Sequence, residues 1–375
     1  MNAALPEPGR DALAASRALI ERIASELAAH DNWISFARYM ELALYQPGLG
    51  YYAGGSAKLG APGDFVTAPE LGTLLARTLA RQVREILAPG EAILEFGAGS
   101  GALAAALLDA LPAGTPYLIV EPSGQLAARQ RARLDGRASW LERLPQRFRG
   151  VMLANEVIDA MPVHALAWTA NGVMERGVCA NEGMLAWSER PARGELLAAA
   201  REIAIELPSA GRYESELGLA ARRWMCTLGG VLERGALLAI DYGFPAREYY
   251  HPQRSMGTLM CHYRHRAHGD PFYLPGLQDI TAHVDFSALA GAAHAAGLDL
   301  LGYASQASFL IECGITELLA ETDPDDVARY APLAAEANRL LSPAEMGELF
   351  KVLAVGRGVD RPLAGFTRGD RSHTL

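Results

Sequence analysis

The chain of 375 residues is long enough for a large α/β domain with additions or for two domains, and half of its residues are hydrophobic, as in ordinary folded proteins. Its formal net charge of −9 argues against nucleic acid as a partner, because phosphates require a basic surface. The four cysteines are widely spaced, which argues against a disulfide framework, and acidic residues within 1–30 argue against a targeting leader. The sequence lacks a long apolar run, which argues against a membrane span. We therefore expect a cytoplasmic protein.

The beginning of the chain is predicted to be helical. Apolar residues recur at three- and four-residue spacings over 11–45, which indicates two helices. Glycines within 46–52 end the second helix, and residues 53–69 predict a loop. Ala68-Pro69-Glu70 then predicts the start of a helix that runs to about Leu87.

Strand and helix patterns alternate over residues 91–155. The predicted strands are 91–96, 116–121, 138–141 and 150–155, and the predicted helices are 100–111 and 123–134. Strands separated by helices indicate parallel pairing with right-handed crossovers. This part of the chain is therefore predicted to begin an α/β core.

The pattern changes after residue 162. Asn171-Gly172 and Asn181-Glu182-Gly183 predict turns between antiparallel strands, so we interpret 163–212 as an insertion or subdomain. The remaining predicted elements are a helix at 213–229, a buried strand at 235–243, a long loop at 244–284, a helix at 286–296, a strand at 298–304 and a helical tail to about 354.

A glycine-rich turn follows the first core strand. Gly97, Gly99 and Gly101 permit a sharp strand-to-helix turn and the close approach of a ligand to backbone N–H groups. The turn also satisfies the loose dinucleotide pattern GxGxxA through Ala102, so a dinucleotide remains an alternative.

Two carboxylates near this turn favour S-adenosylmethionine. Glu95 stands directly before the turn, where it can hold the methionine ammonium and would repel a pyrophosphate. Glu121 ends the next predicted strand, where it can accept hydrogen bonds from the ribose hydroxyls of either ligand. The sequence therefore predicts a methyltransferase that binds its cofactor through Glu95, Gly97, Gly99, Gly101 and Glu121.

Five blocks of sequence resemble the MidA-like family of S-adenosylmethionine-dependent methyltransferases. They are GDFVTAPE (63–70), LEFGAGSG (94–101), ANEVIDAMPV (154–163), IDYG (240–243) and DITAHVDF (279–286). The family includes the mitochondrial methyltransferase that assists assembly of respiratory complex I. The resemblance implies a Rossmann-like core and, for the mitochondrial member, dimethylation of an arginine in a complex I subunit. The acceptor of the present chain need not be the same.

Polar residues follow the strand at 150–155, at the carboxyl edge where α/β sheets bind ligands. We assign Asn155 to the cofactor site and predict that Glu156 and Asp159 are catalytic, because two carboxylates near a methyl donor can hold a guanidinium. The alternative is that these acids cap a helix that begins near Glu156.

Three further residues are candidates for catalysis. Asp64 lies in a loop that could fold over the donor, although an Asx turn is the alternative. His283 and Asp285 lie within a block that the resemblance covers. Asp241 ends a strand at the same edge, where a role in fixing a loop or capping a helix is an alternative to one in the site.

A cluster of Cys261, His262, His265 and His268 has spacings that could suggest zinc. We predict no metal, because Arg264 and the turn residues that follow disfavour a helical arrangement, and we expect these histidines to line the pocket or bond loop carbonyls.

Together these observations predict an α/β protein with a Rossmann-like, seven-stranded methyltransferase core, N-terminal helices and an inserted α+β subdomain. The predicted segments are 1–90 for the helical region and cofactor-covering loop, 91–162 for the first part of the core, 163–235 for an inserted substrate subdomain and 236–375 for the rest of the core with the His-rich loop and C-terminal helices. We expect a protein substrate, with arginine methylation of a complex I subunit as the leading hypothesis. A small-molecule methyltransferase and a non-catalytic assembly chaperone are the alternatives, and a homodimer stays open.

Overall fold

The computed structural model describes residues 5–54, 67–203, 205 and 211–375. The chain divides into two compact units. The first unit comprises Met1–Phe65, Asp159–Arg222 and Ala246–Val284, and the second comprises Val66–Ile158, Arg223–Pro245 and Asp285–Leu375. Within the ranges that are described, no helix is both long and apolar enough to cross a membrane.

The described α-helices, α1 to α12 in chain order, are Arg10–Ala29, Phe36–Tyr45, Leu74–Ile86, Ala102–Ala110, Gly124–Leu134, Gly194–Arg201, Leu219–Val231, Ala246–Tyr249, Phe286–Ala295, Gln306–Glu312, Ile315–Ala320 and Val327–Leu341. Short 3₁₀ helices cover Ala68–Glu70, Pro252–Arg254, Ala364–Phe366 and Ser372–Thr374. The strands, β1 to β16, are Ile34–Ser35, Ala92–Phe96, Tyr117–Val120, Ser139–Trp140, Phe148–Asn155, His164–Thr169, Gly172–Asn181, Met184–Pro191, Arg212–Leu217, Leu232–Phe244, Met260–Tyr263, Arg266–His268, Asp279–Thr281, Val284–Asp285, Asp299–Ser305 and Phe350–Arg357.

A mainly parallel sheet forms the centre of the second unit. Among the described residues the sheet has eight strands, one more than predicted, and seven of them follow one another in the order β15-β16-β10-β5-β2-β3-β4. Neighbours from β10 to β4 are parallel, whereas β16 runs antiparallel to both β10 and β15. Helix α4 connects β2 to β3, and α5 connects β3 to β4. The predicted α/β core is therefore confirmed, and the carboxyl ends of β2, β3, β5 and β10 meet at one edge.

Two predictions for the second unit are wrong. The tail is not helical to residue 354, because Phe350–Arg357 forms β16 inside the sheet. Its run of Val, Leu and Ala residues is buried on both faces, as is typical of an interior strand. The helix predicted from Ala68 is instead a 3₁₀ turn over Ala68–Glu70, followed by α3.

The first unit contains two antiparallel sheets. One has the order β1-β7-β6-β9 with β8 paired to β7, and the other has the order β12-β11-β13. Both predicted hairpins are present, since Thr169 pairs with Gly172 and Asn181 pairs with Met184. The first turn lies at residues 170–171, one position earlier than predicted, because Gly172 already belongs to β7. A core of α1 and α2 side chains packs with Val178, Ile280 and other buried residues of this unit.

The start of the helix predicted at 213–229 is wrong, because Arg212–Leu217 forms β9 and α7 begins only at Leu219. Tyr213 and Ser215 are buried on either side of the partly exposed Glu214, as in the two-residue period of a sheet, and Glu216 and Leu217 at the end of the strand are both buried. The loop predicted at 244–284 contains β11, β12 and β13.

The compact units follow other boundaries than the predicted segments. Each of the three pieces of the first unit comes from a different predicted segment, namely the N-terminal region, the insertion and the His-rich loop. Strand pairing explains this, because Ile34 at the N-terminus pairs with Val178 in the predicted insertion. Distant segments therefore complete one another's sheets and core.

Candidate functional site

The glycine turn between β2 and α4 has the backbone that its sequence predicts. Gly97, Gly99 and Gly101 have φ angles of 58°, 54° and 79°, in the left-handed region that favours glycine. A Cβ atom at Gly97 would lie 3.1 Å from Val157 Cγ2, so space at the turn is also limited. The Gly97 N–H donates to the Val120 carbonyl at 3.0 Å, which ties the turn to β3. The turn can therefore present backbone N–H groups to a ligand.

Glu95 is a buried carboxyl group directly before this turn. Burial raises its pKa to about 8, because the charged form is poorly solvated there. The Tyr117 hydroxyl donates to Glu95 Oε2 at 2.9 Å and opposes that rise in pKa, whereas the charge of Glu121 adds to it. A ligand ammonium would supply the positive charge that favours the carboxylate. The chemistry of Glu95 thus fits the methionine end of S-adenosylmethionine.

Glu121 follows β3 and has several donors. Its Oε1 accepts from the Ser123 N–H at 2.9 Å, and its Oε2 accepts from Gln130 Nε2 at 2.9 Å. Burial raises the pKa of Glu121, and these two hydrogen bonds lower it again. A carboxylate held in this way can accept further bonds from hydroxyl groups. Glu121 therefore fits a ribose.

Asn155 and Glu156 lie at the end of β5, between β2 and β10. Glu156 has φ 53°, a left-handed conformation that is uncommon for residues other than glycine and that concentrates at functional sites. Its Oε1 accepts from Asn155 Nδ2 at 3.0 Å and from the Ala68 N–H at 3.3 Å. The helix-capping interpretation is wrong, because the next helix along this described stretch is α6, which begins at Gly194.

The other predicted catalytic residues have different surroundings. Asp159 belongs to the first unit, where it is buried and its carbonyl accepts from the Ala282 N–H at 3.0 Å. In the same unit the His283 N–H donates to Thr258 Oγ1 at 3.1 Å. Asp285, in the second unit, caps α9 by accepting from the Ala288 N–H at 3.0 Å. Asp64 lies outside the described residues.

Asp241 lies within β10, near the carboxyl end of the strand, and fixes the loop that follows β5. Its Oδ2 accepts from the Ile158 N–H and its Oδ1 from the Tyr242 N–H, both at 2.9 Å. These bonds support the loop-fixing alternative for Asp241.

The Cys261 and His268 side chains lie on the paired strands β11 and β12, directly across from one another. Arg264 and His265 form the connecting turn with φ angles of 47° and 60°. Burial raises the pKa of the Cys261 thiol well above its usual value. Over the part of the chain that is described, no group of three or more His, Cys, Asp or Glu residues is arranged to hold a metal ion.

The edge of the sheet that carries the glycine turn, Glu95 and Glu121 is called the cofactor edge. Sequence reasoning missed several residues that support it. Gln130 bonds Glu121 and the glycine turn, and Tyr117 bonds Glu95. Ser100 lies between two charged groups: its hydroxyl donates to Glu70 and accepts from Arg133 Nη1, the latter at 2.7 Å. One signal was readable for Gln130, because it stands on the buried face of α5 with Ala127 and Leu134, where a polar residue needs partners.

Comparisons with known proteins agree with this geometry. Residues 74–304 match the family model Methyltransf_28, which describes S-adenosyl-L-methionine-dependent methyltransferases. The chain is 52% identical, with a TM-score of 0.94, to a COG1565 superfamily member from Burkholderia thailandensis bound to S-adenosyl-homocysteine, and the match covers 99% of this chain and 100% of that one. It is 29% identical to the protein arginine methyltransferase NDUFAF7 of Danio rerio, over 94% of this chain and 93% of the relative.

These comparisons confirm the resemblance seen in the sequence, and the cofactor is S-adenosyl-L-methionine. The glycine turn can present backbone N–H groups to this cofactor. The buried Glu95 suits its ammonium group, and the hydrogen-bonded Glu121 suits its ribose. The chain therefore belongs to the Methyltransf_28 family of S-adenosyl-L-methionine-dependent methyltransferases.

Proposed function

We propose that this methyltransferase modifies an arginine side chain of a protein. The placement of Glu156 carries the proposal. Glu156 follows the strand next to β2, and the neighbouring Val157 lies beside the glycine turn. The relatives named as protein arginine methyltransferases support the choice of acceptor.

The strained backbone of Glu156 supports a functional role. A left-handed conformation at a residue with a side chain costs roughly 1–2 kcal/mol, so it persists only where surrounding contacts hold it. The Glu156 N–H donates to the Ile240 carbonyl at 2.9 Å, and the side chain accepts the two bonds described above. These contacts fix the carboxylate at the cofactor edge.

The proposed chemistry uses that fixed carboxylate. When bound, S-adenosyl-L-methionine supplies an electrophilic methyl group on a sulfonium sulfur. Glu156 would accept hydrogen bonds from the substrate guanidinium, hold one terminal nitrogen in line with the methyl group and favour loss of the proton from that nitrogen. The catalytic role predicted for Asp159 stays a prediction. The products are a methylated guanidinium, the thioether and a proton.

The acceptor can be tested with donor labelled in the methyl group. Incubation with lysate proteins and with purified complex I subunits, followed by mass spectrometry of hydrolysates, should place the label on arginine. Label in a small-molecule fraction alone would support the small-molecule alternative, and cofactor binding without any label transfer would support the chaperone alternative. Either result would refute arginine methylation.

We also propose that the substrate is a complex I subunit and that the protein is cytoplasmic.

Glu156→Gln separates the proposed catalytic role from a structural one. Glutamine keeps a carbonyl oxygen for the Ala68 and Asn155 donors but loses the charge, so we expect kcat/KM for the arginine substrate to fall about ten- to a hundredfold. Affinity for S-adenosylhomocysteine and the melting temperature should stay near their wild-type values.

Glu345→Gln is the matched control, because Glu345 is an exposed glutamate of the same unit. Normal methyl transfer by folded Glu156→Gln protein would contradict the assignment of Glu156.

A further inference from the structure

A buried glutamine forms hydrogen bonds with both the glycine turn and Glu121 at the cofactor edge. Gln130 is fully buried on α5. Its Nε2 donates to the Gly99 carbonyl at 3.0 Å and to Glu121 Oε2 at 2.9 Å. Its Oε1 accepts from Trp140 Nε1 at 2.9 Å. One side chain thus bonds the glycine turn, the acid after β3 and the ring at the end of β4.

The partners of Gln130 leave its amide only one orientation. The Trp140 indole can only donate, so it must face the amide oxygen. The Gly99 carbonyl and the Glu121 carboxylate can only accept, so both must face the NH₂ group. A reversed amide would set one donor against another and two acceptors against the oxygen. The three partners together therefore determine which way Gln130 presents its donors.

Packing between Gln130 and the glycine turn is close. A Cβ atom at Gly101 would lie 3.5 Å from the Gln130 Cα and Cγ atoms. Gly101 has φ 79°, so a larger residue would meet both strain and the Gln130 side chain. A shift of the Gln130 side chain would therefore displace both the glycine turn and the Glu121 carboxylate.

We infer that Gln130 is a positioning residue for S-adenosyl-L-methionine, and that it holds the Glu121 carboxylate and the glycine turn in register for the nucleoside. The inference rests on the assignment of Glu121 to the ribose, and it does not depend on the identity of the methyl acceptor. Trp140 acts through Gln130, since its N–H donates to the amide oxygen and supports the same orientation.

Gln130→Leu tests the inference by calorimetric titration with S-adenosylhomocysteine. Leucine has a similar size and leaves both acceptors without their donor, so we expect Kd to rise about tenfold or more. At saturating donor, kcat should change far less than KM. Gln125→Leu is the matched control, because Gln125 is exposed on the same helix, and it should leave Kd unchanged.

A ligand analogue without the ribose hydroxyls gives a second readout. Wild-type protein should bind this analogue about tenfold more weakly than S-adenosylhomocysteine, since the hydroxyl bonds to Glu121 are lost. Gln130→Leu should show a much smaller difference between the two ligands, because Glu121 is no longer held. An equal difference in both proteins would overturn the inference.

Trp140→Phe tests the same network if Gln130→Leu does not fold. It removes the N–H that donates to the Gln130 amide oxygen and helps to hold the side chain, so the rise in Kd should be about two- to tenfold. A wild-type Kd in folded Trp140→Phe protein, or in folded Gln130→Leu protein, would show that Gln130 only packs the helix against the turn.

Discussion

Glu95 and Glu121 are the same residue type at the ends of neighbouring parallel strands, yet their surroundings differ. Glu95 is buried with the Tyr117 hydroxyl as a neutral donor, and burial raises its pKa to about 8. Glu121 accepts from a backbone N–H and from the Gln130 amide, and these bonds oppose the effect of burial on its pKa. The comparison indicates that one acid is adapted to a ligand cation and the other to neutral hydroxyls.

The raised pKa of Glu95 also has a consequence for stability. The folded protein without ligand keeps the Glu95 proton up to about pH 8, whereas the unfolded chain loses it near 4.5. The contribution of Glu95 to the free energy of unfolding is therefore fully present below about pH 4.5, falls as pH rises and is lost above about pH 8. A bound ammonium favours the charged form of Glu95. The increase in the free energy of unfolding that the ligand causes should therefore grow from about pH 4.5 to about pH 8.

The largest expected effect comes from the turn that lies between the two acids. Gly99→Val should weaken binding of S-adenosylhomocysteine by more than about a hundredfold, because a β-branched side chain is strained at φ 54° and blocks the approach of a ligand to the backbone. Calorimetric titration of protein that remains folded by circular dichroism measures this loss.

Gly291→Val is the control for that substitution, since an added Cβ at Gly291 meets no atom within 4 Å. Binding by folded Gly99→Val protein at near wild-type affinity would show that the cofactor lies elsewhere.

A smaller effect should follow from Glu121→Gln. The new NH₂ group must face either the Ser123 N–H or Gln130 Nε2, both of which are donors, so one hydrogen bond is lost in either orientation. We expect Kd for S-adenosylhomocysteine to rise about tenfold. Glu345→Gln serves as the control. A wild-type Kd in folded Glu121→Gln protein would contradict the assignment of Glu121 to the ribose.

The cofactor turn could be predicted from sequence because its requirements are local. Three glycines must adopt left-handed backbone, and the acid stands directly beside them. The support for the two acids could not be predicted in the same way, because Tyr117 and Gln130 approach them only after the strands and α5 have packed.

The fold likewise combines local patterns with contacts between distant segments. Alternating elements from β2 to β5 were readable in sequence order, whereas β16 enters the sheet between β10 and β15 from the far end of the chain. The first unit joins three separate segments, and its strand β1 pairs with residues more than a hundred positions away. No local pattern states such partners.

Proton release on ligand binding tests the comparison of the two acids most directly. Titration calorimetry with S-adenosylhomocysteine at about pH 6.5, in buffers of different ionisation enthalpy, counts the protons exchanged. With a pKa of about 8, Glu95 should be protonated before binding and should release about one proton when it meets the ligand ammonium. Glu95→Gln should release none. Glu121→Gln should release nearly as many protons as the wild type, because the charge of Glu121 is the smallest of the causes that shift the pKa of Glu95. Binding to wild-type protein without proton release, or unchanged release in Glu95→Gln, would contradict the account.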